Sequence, residues 1–186
     1  MLGNAFFDIV NAARNGVRVD VNDIDLKVCF EISGSQVYFT PAGYLAYGGD
    51  FAEADYLRRS YNSSINWMAA CAAVSGRHNQ YVEDLRVNHN ADIDFIAQGA
   101  AIGGDHRYVD YLYIHGASPI NIIHGYGQGG HIDTIDQWIK GNLLRKQVRY
   151  SRILLVTSAM KGLQGGGHND KIQPLLRDLL LGAQNG

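Results

Sequence analysis

The sequence predicts an all-α fold, a row of stacked helix pairs that leaves room for a short β-hairpin only near the N-terminus. Three observations predict it. The first is self-similarity. Tyr108-Val109 and Leu112 return one period earlier as Tyr81-Val82 and Leu85. Gly104-Asp105 and Asp110-Tyr111-Leu112 return two periods earlier as Gly49-Asp50 and Asp55-Tyr56-Leu57, and Gly104, Val109 and Asp110 recur one period later as Gly130, Ile135 and Asp136. A period of about 27 residues falls in the roughly 20–50 range that marks a solenoid, in which each unit buries its face only against its neighbours. The second observation is glycine, 22 residues against 3 prolines. Most of it falls at one phase of the period, as turn chemistry would place it. The third is apolar spacing. Between the glycines, residues such as Tyr108, Val109, Leu112 and Tyr113 repeat at helical intervals.

Taken in order, Ala5 to Asn15 reads as a helix with Phe6, Ile9, Val10 and Ala13 on one side. Val17 to Asp25 alternates apolar and polar, and Gln36-Val37-Tyr38-Phe39-Thr40 is strand-like. Residues 1–41 are therefore an N-terminal cap, either a short hairpin or a degenerate repeat. Residues 42–140 hold the clear pairs. Each has an inner helix of small residues, a glycine turn and an outer helix: Tyr44–Tyr47 with Phe51–Ser60, Trp67–Val74 with Asn79–Asn88, Phe95–Ile102 with Arg107–His115, and Ile122–Gln128 with Ile132–Ile139. Asp105 sits where it can cap the third outer helix, and Gly103-Gly104 stops the inner one. Ala117-Ser118-Pro119 reads as the next turn. The spacing then stretches beyond one period between Gly130 and Gly167. The extra residues fall within Gly141 to Tyr150, and with Lys140 they hold the densest positive charge (Lys140, Arg145, Lys146, Arg149). Residues 141–186 thus comprise an insertion and a capping repeat, Ser151–Lys161 with Ile172–Leu181.

Composition narrows the function. Net charge is −2, with 16 basic and 18 acidic residues and no block of like charge, which gives no support for a nucleic-acid partner. No stretch approaches the length of a membrane span, and no signal peptide is visible, so a cytoplasmic setting is the expectation. Only Cys29 and Cys71 occur, too few for a disulfide framework. Cys71 lies in Ala69-Ala70-Cys71-Ala72-Ala73 and reads as a buried, inert thiol.

The seven histidines are the tempting metal ligands. His78, His106, His131 and His168 follow glycine turns in successive units, and layers about 10 Å apart cannot converge on one ion. Structural capping is the better reading; His124 alone lies on an inner helix. Gly127-Gln128-Gly129-Gly130 and Gly165-Gly166-Gly167 lack the Walker lysine. Asp20, Asp23 and Asp25 lack the central glycine and late glutamate of a calcium loop and read as a solvated turn. No Gly-x-Ser-x-Gly occurs. No cofactor is expected.

Phe95 to Ala117 resembles the ankyrin repeat. Ala100-Ala101, Gly104, Val109, Leu112 and His115-Gly116-Ala117 fall on the repeat's Ala-Ala, Gly, helix-2 core and His-Gly-Ala, and Ile120-Asn121 is similar to its closing Val-Asn. Ala12-Ala13-Arg14-Asn15-Gly16 matches its Ala-Ala-Arg-Asn-Gly run. The likeness covers about Ala42 to Ile139. It departs in period, because an ankyrin unit of about 33 residues carries a β-hairpin finger that has no counterpart between Asn121 and Ile122. The chain looks like a finger-less relative, similar to ankyrin-like effectors of intracellular bacteria. The resemblance implies a monomeric protein-interaction module that is not an enzyme and holds a protein or peptide on the concave face of its inner helices. Tyr44, Tyr47, Trp67, Gln98, His124, Tyr126 and Gln128 fall there, and tyrosine and tryptophan are favoured interface anchors. Tyr81, Tyr108 and Tyr111 read as core. The alternative is a small enzyme or ligand-binding protein, with a pocket between the stack and the 141–150 insertion.

Overall fold

The computed structural model describes residues 2–18, 24–144 and 152–181. It is mostly helical, with one small antiparallel sheet near the N-terminus. Helix α1 (Leu2–Arg14) leads into strands β1 (Val28–Ile32) and β2 (Ser35–Phe39). Helices α2 (Pro41–Gly48), α3 (Phe51–Tyr61), α4 (Ile65–Val74), α5 (Asn79–His89), α6 (Ile93–Gly103), α7 (His106–Ile114), α8 (Pro119–Gln128) and α9 (Ile132–Leu144) follow. Helix α10 (Arg152–Gly165), a single 3-10 turn and α11 (Ile172–Leu181) complete it.

The even-numbered helices α2, α4, α6, α8 and α10 pack each on the next, and α3, α5, α7 and α9 each pack on the helix that precedes them. Side-chain size explains the row. An added Cβ on Gly99, Gly125 or Gly162 would land against the carbonyl oxygen of Ala70, Gln98 or His124 in the preceding inner helix. One turn on, Gly103, Gly129 and Gly166 meet the carbonyls of Val74, Ile102 and Gln128 in the same way. Only glycine allows that approach. At the α2–α4 contact the roles reverse, and Gly43 makes room for the Cys71 sulfur. Behind this layer Leu57, Leu85, Val109, Leu112, Ile135 and Ile139 of the outer helices are fully buried.

Caps set the boundaries. The Thr40, Ser64, Asp92 and Asp105 side chains each accept a hydrogen bond from the first turn of the helix they open, worth about 1 kcal/mol each. Gly104 ends α6 at φ 75°. Two boundaries differ from the sequence expectation. Pro119 is the first residue of α8 and not part of the turn, because a proline at that position loses no needed donor. Gly141 lies within α9, which runs past Ile139, where the sequence ended the fourth outer helix, to Leu144. Arg145 to Tyr150 lie outside the described residues.

Within the N-terminal segment, residues 28–39 form a hairpin. β1 pairs with β2 in the register Val28↔Phe39, Phe30↔Val37 and Ile32↔Ser35. Ser33 and Gly34 both have positive φ (52° and 80°), as a tight two-residue hairpin turn requires. Asp25 is not a solvated turn residue. Its carboxylate accepts from the Ser63 hydroxyl at 2.6 Å and from the Ser64 amide at 3.1 Å, tying the approach to β1 onto the start of α4. Asp20 and Asp23 lie outside the described residues.

Candidate functional site

The hairpin crosses the inner helices. Phe39 packs on Tyr47 of α2 with ring centres 5.1 Å apart. Three residues earlier, the Gln36 amide donates to the Gly166 carbonyl at the end of α10 (3.0 Å), and the Gln36 carbonyl accepts from the Gln128 side chain (3.3 Å). Ser35 shares a hydrogen bond with His168 at 3.1 Å. The chain's start thus docks against both ends of the helix row.

That crossing rearranges the face expected to take a partner. Tyr44 is surrounded by the rings of Phe6, Phe7, Phe30 and Phe39 at 5.2–6.2 Å. Tyr44 and Tyr47 are half-buried and pack against the chain's own α1 and hairpin. Tyr126 is a correction. It is only 1% exposed, and its hydroxyl meets His106 Nδ1 at 3.1 Å, so α8 turns it toward the outer layer.

The remaining residues form a continuous strip. Trp67 meets Phe95 edge-on at 5.9 Å and carries the Lys27 ammonium 4.0 Å above its ring. Gln98, one turn from Phe95 on α6, donates to Gln128 at 3.4 Å. His124 lies one turn before Gln128 on α8. Trp67, Phe95, Gln98, His124 and Gln128 are half-buried, and Lys27 is exposed. Burial pushes the His124 imidazole below its ordinary value; a hydrogen bond to the Ser158 backbone opposes that shift and Lys161 adds to it. Phe95, Lys27 and Gln36 belong to this strip and were not singled out from the sequence. Phe95 had a visible signal, since it stands close to one period after Trp67.

Other histidines act as bridges between units. His78 Nε2 reaches the Tyr47 carbonyl (3.2 Å) and His131 Nε2 the Ile102 carbonyl (3.0 Å), each at the C-terminal end of the preceding inner helix. Among the described residues, no three His, Cys, Asp or Glu side chains are placed to share a metal ion. Burial pushes the Cys71 thiol up to about 12, against a backbone hydrogen bond at Thr40 and the Lys27 charge, which leaves it unreactive.

The outer layer holds a cavity of about 370 Å³. His106, Asp110 and Tyr113 line it from α7; Thr134, Gln137, Trp138 and Gly141 line it from α9; Tyr126 lines it from α8. The α7 residues stand at i, i+4 and i+7, and the α9 residues at i, i+3, i+4 and i+7, so the walls are two facing helix stripes. Tyr113 and Trp138 meet across the groove at 4.9 Å, tilted by 70°.

No family model, curated protein or solved structure matches the chain.

Proposed function

We propose that the protein is a non-enzymatic interaction module whose helix row is a finger-less, ankyrin-like stack, and that it holds a protein or peptide on the inner-helix strip. One observation carries this reading. Trp67, Phe95, Gln98, Gln128 and His124 run across three successive inner helices as one half-exposed surface, joined by ring and amide contacts. Two aromatic rings flanked by amides match the composition of interface hot spots. The strip is bounded by Lys27 at one end and by Gln36 of the hairpin at the other. Among the described residues no helix is long and apolar enough to cross a membrane. A cytoplasmic site of action, in the cell of origin or in a host, belongs to the same proposal.

The test is affinity capture with the wild-type chain and a Trp67→Ala/Gln98→Ala variant side by side, with circular dichroism and melting temperature measured on both. A partner held by the wild type and weakened at least about tenfold in a folded variant is the expected result, since aromatic anchors are worth about 2 kcal/mol or more. Equal retention by the two folded proteins would remove the strip from consideration.

A further inference from the structure

The cavity between α7 and α9 becomes informative when compared with the same place one repeat earlier. Helices α3, α5, α7 and α9 carry a carboxylate at the equivalent position: Asp55, Glu83, Asp110 and Asp136. In α3, Asp55 pairs with Arg58 at 3.0 Å. In α5, Glu83 pairs with Arg86 at 2.6 Å. In α9, Asp136 pairs with Lys140 at 2.6 Å. In α7 the corresponding residues are Tyr113 and Ile114, neither of them cationic. Asp110 is exposed and makes no hydrogen bond or ion pair with another described residue.

The walls change together with the charge. Between α5 and α7, the Tyr108 hydroxyl donates to Glu83 at 2.6 Å and Tyr111 reaches it at 3.4 Å, so carboxylate, guanidinium and two phenols fill the groove. Burial would raise the Glu83 carboxyl, but the hydrogen bonds from Arg86, Tyr108 and Tyr111 outweigh it and hold it low. One repeat on, Thr134 and Gln137 stand where Tyr108 and Tyr111 stood. Both are shorter, and the space opens into the cavity. Among the described residues, the groove keeps its carboxylate, and no cation stands where Arg86 stands one repeat earlier.

We propose that this groove is a binding site for a guanidinium group, which takes the place against Asp110 that Arg86 holds against Glu83. The Asp110 carboxylate offers two oxygens to the planar fork, and the Trp138 and Tyr113 rings supply the π-faces on which guanidinium stacks. Thr134 and Gln137 supply further polar contacts, and the volume lies at the small end of ligand pockets. The site is independent of the inner-helix strip.

Trp138 is a built-in reporter, because Trp67 is the only other tryptophan. In a Trp67→Phe background, Trp138 fluorescence is titrated with N-acetylarginine amide, with agmatine, and with N-acetylcitrulline amide, the neutral isostere of the first. The expected result is a saturable change with the two guanidinium compounds and binding at least about tenfold weaker for the citrulline compound, the worth of a charge-assisted contact. Tighter binding of the arginine amide identifies a peptide side chain as the source; tighter binding of agmatine identifies a free small molecule. Asp110→Asn, a change at an exposed residue, weakens binding by about the same factor with an unchanged melt. Tyr113→Arg installs the missing partner and abolishes the titration. Equal binding of arginine and citrulline compounds, an unaltered Asp110→Asn affinity, or no saturable change with either guanidinium would each overturn the proposal.

Discussion

In α10, Gly162 lies against the backbone of α8, and a single methyl group would collide with the His124 carbonyl. In α7, one layer out, Asp110 faces a cavity large enough for a small molecule. Both helices belong to the same row of packed helix pairs, yet a larger side chain would meet very different surroundings in each. The inner row is held by backbone proximity, so one side of each closest contact must be glycine where it meets the carbonyl of the helix before it. The outer helices touch through side chains, and a shorter side chain there leaves space without separating the backbones. The inner layer therefore sets the architecture, and the outer layer is where side-chain size can change and leave a cavity.

Two substitutions probe the inner layer first. Tyr126→Ala, at a residue 1% exposed, should cost about 3–5 kcal/mol of stability, because it empties the core at the junction of the two layers. Denaturant unfolding checks this; a loss under about 1 kcal/mol would mean that Tyr126 contributes surface and not core. A paired test on α10 follows. Gly162→Ala should cost about 3 kcal/mol, since the row must part to admit the methyl group. Gly165→Ala, three residues on in the same helix and with nothing within 4 Å of its added Cβ, should be neutral or stabilising by about 0.5 kcal/mol. Opposite signs from one helix would tie the row to carbonyl–glycine contact; two equal effects would leave glycine's helix propensity as the only cause.

Much of this layout could be read in the chain, because glycine spacing and apolar spacing report helices and turns directly. Phe51, Asn79 and Ile132 begin outer helices where the period placed them. Tyr126 was misplaced for a physical reason. On an inner helix packed on both flanks, apolar spacing does not say which side meets the outer layer, and Tyr126 is long enough to reach His106. The hairpin had a local signal in Ser33-Gly34 between alternating Val28, Phe30, Ile32 and Val37, Phe39. Its docking on Gly166 and His168 did not, since a contact between the two ends of a chain leaves no local pattern. The lack of a cation three or four residues after Asp110 was legible from Asp55-x-x-Arg58 and Glu83-x-x-Arg86 set beside Asp110-x-x-Tyr113. The shortening from Tyr108 to Thr134, which opens the cavity, takes its meaning from which helices face each other.

The smallest expected effect concerns the clasp between the hairpin and the end of the row. Burial pushes the His168 imidazole below its ordinary value, and Lys171 beside it adds to the shift; burial lowers His124 as well. A histidine of lowered pKa stays neutral in the folded chain while its unfolded counterpart, with a pKa near 6.5, takes up a proton. The unfolded state then binds more protons, so stability is constant above about pH 7 and declines as pH falls below about 6.5. The decline ends once pH passes below the folded-state values. Glu83, held low by its partners, shifts the balance only in the more acidic carboxylate range, so the two windows are separable. Urea midpoints measured between about pH 7.5 and 5 should fall for the wild type and fall less steeply for His168→Gln. If the two profiles run parallel, His168 titrates alike in both states, and the contact with Ser35 holds the hairpin to the row independently of pH.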